Sequence, residues 1–221
     1  MFVGHFGLGF GAKKAAPAVS LGTLFIACQF ADLLWPSLVL FGYERLEVQP
    51  GATKFTPLNF VSYPYSHSLL ALCAWGLLSG ALYFVLRRAR FSAFVTVTLL
   101  VISHWVLDYV THRPDMPLTP WGNDRLGLGL WNSIPGTLGI ELLIFAAGLA
   151  LYLRQTMSRD RIGSIGLWGL VAFLLVVYLA SAFGPPPPNA IAVAWSAEAM
   201  WLLVFWGYWV DKHRLPHRNR G

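Results

Sequence analysis

The sequence predicts an all-α polytopic membrane protein, a bundle of about six transmembrane helices with both termini cytoplasmic, and three observations predict it. Hydrophobic residues make up 56% of the 221 positions and charged ones only 12%, an imbalance that a water-facing surface does not accommodate. Several stretches run near twenty residues with almost no charge, the length that crosses a bilayer's hydrocarbon core. Lysine and arginine crowd into alternate connections, the pattern of cytoplasmic loops.

The expected spans are 20–41, 64–86, 91–111, 134–153, 163–183 and 189–210, within one integral membrane domain covering 1–221. The opening "MFVGHFGLGFGAKK" carries its basic residues after the apolar part, which is not the order of a cleavable signal peptide. The connections are "RRAR", "RQTMSRDR", the proline run "GPPPPN", and two longer loops at 42–63 and 112–133. With the N-terminus inside, one side receives Lys13, Lys14, Arg87, Arg88, Arg90, Arg154, Arg159, Arg161, Lys212, Arg214, Arg218 and Arg220. The other side receives only Arg45, Lys54, Arg113 and Arg125. Twelve against four, agreeing in every loop, orients the chain. The net charge of +6 therefore reads as an orientation and anionic-lipid signal, not as a nucleic-acid surface. Cys28 and Cys73 lie inside apolar segments and read as small packing residues. Span 163–183 has no ionisable residue and reads as packing, and no internal repeat or soluble domain is visible.

The chemistry concentrates in "SHWVLDYVTHRPD", 103–115. His104, Asp108 and His112 are spaced by four and Asp115 follows by three, which lines them along one helix face. Counted from the outward ends, Asp32 lies roughly 13 Å deep, His67 about 5 Å, His104 and Glu141 about 10 Å and Glu198 about 13 Å. Five segments thus bring ionisable groups to the outer half of the bilayer. A charge there costs a few kcal/mol and faces a partner or a wet cavity. Each residue alone is explained as readily by pairing with a neighbouring helix. The set is not, because the span interiors hold no lysine or arginine to neutralise the acids. A divalent cation would do so. In His-x3-Asp, an imidazole nitrogen and a carboxylate oxygen one turn apart converge on one ion, and zinc takes three such ligands plus a water.

The order of His5 in "GHFGLGF", Asp32 in "FADLLWP", His67 in "SHS", and His104 with Asp108 in "HWVLD" resembles the bacterial membrane-bound metal-dependent hydrolases. These are inner-membrane proteins distantly similar to zinc-dependent phospholipase C. The resemblance covers roughly residues 1–141. It implies His67, His104 and Asp108 as metal ligands, Asp32 as general base or bridging ligand, and zinc-assisted hydrolysis of a phosphoester. It implies one or two metal ions, not three. Glu141 stands where the relatives have the Glu of a His-x3-Glu pair, with Thr137 in the histidine's place, and is the second candidate catalytic carboxylate. His112 is a substitute ligand. His5 either joins the site on a re-entrant glycine-rich segment or lies at the interface.

The loop 112–133, with Trp121 and Trp131, suits an ordered lid at the membrane surface. Arg113 either grips an anionic group such as phosphate, pairs with Asp115, or meets a lipid headgroup. Asn132 is a candidate to orient substrate from the start of the fourth span. His213 and His217 fall on the opposite side and are excluded. The expected function is an inner-membrane metal-dependent hydrolase acting on a phosphoester or lipid in the outer half of the bilayer. The rivals are a small permease or ion-coupled carrier and an accessory membrane protein with a structural metal. A carrier would place ionisable groups in the inner half as well and would show inverted repeats.

Overall fold

The computed structural model describes residues 1–217. The chain opens with α1 (Val3–Gly11), a buried helix of 9 residues. At 1.5 Å per residue it is about 14 Å long, half the thickness of the hydrocarbon. The N–H groups of Phe2 and Gly4, which have no helical acceptor, both donate to Glu141 Oε2, at 2.7 and 3.2 Å. A helix can begin at that depth because a side chain takes over its unpaired donors.

A 3-10 turn, Ala12–Lys14, leads to α2 (Leu21–Cys28), whose cap Ser20 accepts from Thr23 N. Then comes α3 (Phe30–Leu40), turned by 58°. The continuous span expected over 20–41 is therefore broken at Gln29. Gln29 N closes α2 on Phe25 O at 3.0 Å, and Leu33 N begins the next ladder on Gln29 O at 2.8 Å. The carbonyl of Cys28 is left outside both ladders, free for a side chain.

The loop 42–63 forms a hairpin of β1 (Arg45–Val48) and β2 (Leu58–Ser62). A single turn, α4 (Pro64–His67), precedes α5 (Leu69–Arg87), and Ser68 separates them, in extended conformation, as the cap of α5. The expected span 64–86 thus starts at Leu69, and His67 sits on its own turn just beyond it. α6 (Phe91–Thr111) matches its expected bounds. The loop 112–133 pairs β3 (Met116–Pro117) with β4 (Arg125–Leu126) and ends in a 3-10 turn, Leu130–Asn132. α7 (Ile134–Gln155) and α8 (Arg161–Phe183) flank β5 (Thr156–Ser158). The last span is α9 (Ala190–Glu198) and α10 (Met200–Lys212), which meet at Ala199, followed by β6 (Arg214–Pro216) paired to β5.

Five helical stretches are long and apolar enough to cross a membrane, six with the bent α2–α3 pair. The fold is the expected all-α polytopic bundle, but the N-terminus departs from the cytoplasmic position expected for it: Met1 is buried and its amino group meets Asp108, at the end of the bundle opposite the basic loops. Leu77, Leu78, Leu82, Val85 and Leu86 stand exposed along α5, as Ile165, Trp168 and Val176 do along α8, forming surfaces suited to lipid. Both long loops meet at one end, where Phe55 N donates to Trp131 O at 2.9 Å. At the opposite end Lys13 Nζ reaches Asp211 at 2.8 Å. Close approach of small residues docks the helices. A Cβ on Gly7 would lie 2.7 Å from Ile144 O of α7, and one on Gly76 would lie 2.8 Å from Thr98 O of α6. Cys28 and Cys73 are both free thiols.

Candidate metal centre

Asp108, on the outer half of α6, is the hub. Its Oδ2 lies 3.2 Å from His104 Nε2, 3.8 Å from His67 Nε2 and 3.8 Å from His112 Nε2. Its Oδ1 lies 3.0 Å from His5 Nε2 and also meets the amino group of Met1. Asp32, from the first turn of α3, adds Oδ1 at 3.5 Å from His67 Nε2 and 3.7 Å from His104 Nε2. His5, His67, His104, Asp108 and Asp32 therefore come together from α1, α4, α6 and α3. Of the two positions open for His5, the structure places it in the cluster: the half-length α1 carries its ring onto that of His104, stacked with centroids 3.8 Å apart.

Each of three imidazoles has its far nitrogen occupied. The Cys28 carbonyl freed by the break at Gln29 can only accept, so His104 Nδ1, 2.9 Å away, carries the proton. Ser66 Oγ donates to Glu44 Oε2 at 2.6 Å, and its lone pair accepts from His67 Nδ1 at 2.7 Å. Asp115 Oδ1 takes His112 Nδ1 at 2.9 Å. In the neutral ring, each assignment leaves Nε2 with a bare lone pair aimed at Asp108. Backbing a histidine with a carbonyl or carboxylate is how proteins orient a metal ligand and raise its basicity.

The donor set fits a cation. Two overlapping triads, His5–His104–Asp108 and Asp32–His67–His104, bring their ligand atoms within 4.8 Å of one another. The spacings of 3.2–3.8 Å around Asp108 Oδ2 bracket the ligand–ligand edge of about 3.4 Å in a tetrahedron with zinc-length bonds. His104 Nε2, His5 Nδ1 and Glu141 Oε1 are buried with no hydrogen-bond partner. Each such group costs about 1–3 kcal/mol. Among the described residues, no lysine or arginine pairs with Asp32 or Asp108.

The remaining candidates are placed differently. Glu141 holds the start of α1 and so positions His5. Glu198 accepts from Ser37 Oγ at 2.6 Å, joining α9 to α3 away from the cluster. Arg113 pairs with Asp115 at 3.3 Å and also holds Asn59, which leaves it part of the outer hairpins and not a free anion grip. Asn132 is exposed at the end of its 3-10 turn and is not brought to the cluster. His213 pairs with Asp160 at 2.8 Å at the far end, and that contact lowers the Asp160 pKa. His217 N donates to Gln155 O there.

The sequence marks neither Glu44 nor Tyr63, and it marks Ser66 only as a helix-entry serine ahead of His67. Glu44 Oε1 also accepts from Tyr65 N and Ser66 N, both at 2.9 Å, and fixes the turn that carries His67. Tyr63 donates to Asp115 Oδ1 at 2.7 Å. Burial, with the Asp115 charge beside it, raises the phenol's pKa well above its ordinary value and keeps it a donor. "YPYSHS" exposes Ser66 as a neighbour of His67, but nothing local marks Glu44, which lies 22 residues away across a hairpin.

A bundle of five or six apolar helices enclosing a buried cluster of histidine and aspartate defines a polytopic membrane protein with a candidate metal centre. A family model described as YdjM inner membrane protein matches residues 57–186, more than half of the chain. The chain belongs to that family and is a multi-pass inner-membrane protein. The matched stretch contains His67, His104, Asp108, His112 and Glu141, whereas His5 and Asp32 precede it. No curated protein and no solved structure matches the chain. The family match brings no similarity to hydrolases or to zinc phospholipase C.

Proposed function

We propose that this cluster binds a divalent metal, zinc by its mix of imidazole and carboxylate donors, and that the protein is a metal-dependent hydrolase of a lipid-borne phosphoester in the outer half of the bilayer. The observation that carries the proposal is the convergence of three Nε2 lone pairs on Asp108, each imidazole held from behind by a separate acceptor. His67, His104 and Asp108 would hold the ion, with His5 and His112 completing the ring around Asp108. A bound zinc supplies Lewis acidity towards phosphoryl oxygens and makes water acidic enough to lose a proton near neutral pH. Asp32 would accept that proton. Its side chain keeps 16% of its surface exposed where His67 and Asp108 keep 3%, which makes it the most open carboxylate of the cluster. The indole Nε1 of Trp35 donates to Asp32 Oδ1 at 3.0 Å and fixes the carboxylate's orientation.

The test is Asp32→Asn, assayed against phospholipids and isoprenoid phosphates with metal content measured in parallel. The proposal expects turnover to fall on the order of a hundredfold or more, while His67, His104 and Asp108 keep most of the metal. Full activity in the variant would remove Asp32 from the mechanism. If the wild type holds metal but cleaves nothing on the panel, the hydrolase reading gives way to the carrier.

A further inference from the structure

At the arginine-rich end, two adjoining cavities of about 450 and 590 Å³ share Ala18, Tyr83 and Arg87 and form one groove between α2, α5, α6 and α10. The inner part is walled by Ile26, Phe30, Leu82 and Val97, with a polar seam where Thr23 Oγ1 and Tyr208 OH lie 2.9 Å apart. The mouth is lined by Arg87, Arg88 and Arg90. Among the described residues, the lysines and arginines that form ion pairs are Lys13, Arg45 and Arg113, so no acidic side chain neutralises the mouth. Two further features add to this. Arg88 is the one described non-glycine residue with positive φ, 46°, at a helix end where glycine is the usual choice. α6 begins beside it with no side-chain cap, so the positive end of that helix faces the same space.

We infer that this groove seats one anionic phospholipid of the adjacent leaflet, its phosphate between Arg87, Arg88 and Arg90 and an acyl chain along Leu82, Ile26 and Phe30. The charge at the mouth selects a phosphate, and guanidinium forks match its oxygens. The groove's inner walls are apolar, which suits an acyl chain and not a soluble anion or an acidic peptide. The inference is independent of the metal centre, since none of the lining residues contributes to it.

The experiment measures phosphatidylglycerol retained per full-length protein by native mass spectrometry, in micelles mixed with phosphatidylcholine, with inorganic phosphate as competitor. A basic residue near an anionic surface is worth on the order of fivefold in affinity. Arg87→Gln, Arg88→Gln and Arg90→Gln together should therefore lower retention at least about tenfold. The matched variant Arg154→Gln, Arg159→Gln and Arg161→Gln removes the same charge from the same side but outside the groove, and should change retention less than about twofold. Equal losses in the two variants would reduce the arginines to general surface charge and overturn the site. Ser79→Trp fills the groove and leaves every arginine in place, so it remains informative if the arginine variants insert poorly. It should displace the lipid as well, and undiminished retention would refute the seat. Displacement by millimolar phosphate alone, or equal retention of phosphatidylcholine, would refute recognition of an anionic lipid.

Discussion

Ser66→Ala tests whether the acceptors behind the histidines tune the proposed metal centre. The hydroxyl links Glu44 Oε2, at 2.6 Å, to His67 Nδ1, at 2.7 Å. Its removal deletes that link and leaves His67 free to turn or to carry its proton on Nε2, which blocks ligation. The turn itself should survive, because Glu44 Oε1 keeps both backbone donors, Tyr65 N and Ser66 N, at 2.9 Å. Loss of an outer partner of a metal-bound histidine lowers affinity about 10- to 100-fold, equivalent to about 1.4–2.7 kcal/mol. Competition of the purified protein with a zinc chelator of known affinity reads this directly, and thermal unfolding without metal checks the fold. The expected result is an unchanged apo unfolding temperature and an affinity between those of wild type and His67→Ala. Wild-type affinity in Ser66→Ala would show that Glu44 and Ser66 merely hold the turn, and the argument from oriented imidazoles would fail for His67.

Two further predictions concern the ligand set and the topology. His104→Ala removes the residue common to both ligand triads, so metal measured by elemental analysis should be lost while membrane insertion is unchanged; full metal in both His104→Ala and His67→Ala would refute the ligand assignment. Single cysteines at Asn123 and Pro186 should react with an impermeant thiol reagent from the periplasm, and those at Arg88 and Arg159 should not, because the basic loops are retained inside. Labelling at position 159 would reverse the topology and move the cluster to the other half of the bilayer.

The part of the site legible in the sequence is the part with helical period. His104, Asp108 and His112 share α6, and four-residue spacing announces them on one face. Span number follows from composition alone, and α6 falls on its expected bounds because Arg90 and the polar run after Thr111 delimit it sharply. The break at Gln29 is not legible in this way. Gln29 is an uncharged polar residue in a largely apolar run, and nothing in its hydropathy separates a straight helix from one turned by 58°. The direction is set instead by tertiary contacts, with His104 drawing on the Cys28 carbonyl and Asp32 turned towards His67. α1 is hidden for a related reason. Nine residues, His5 among them, are too few to span, and the acceptor for the unpaired donors that open the helix is Glu141, distant in sequence.

The pieces that hydropathy cannot order are those that complete the centre. A straight first span would leave the Cys28 carbonyl bonded within its own helix, and His104 would lose the acceptor that fixes its proton on Nδ1. Without Glu141 to receive Phe2 N and Gly4 N, α1 would leave donors unpaired at a depth without water, and His5 would have no scaffold. Without the hairpins of the outer loops, Glu44 and Asp115 would not stand behind His67 and His112. The break at Gln29 and the outer loops therefore supply the acceptors behind His104, His67 and His112, and α1 supplies His5, while α6 supplies both His104 and the carboxylate of Asp108 on which they converge. A structural metal would need only the converging donors. Asp32 is the one member left partly open, on a helix turned out of line to carry it, and that opening is what the hydrolase reading uses and a closed structural site would not.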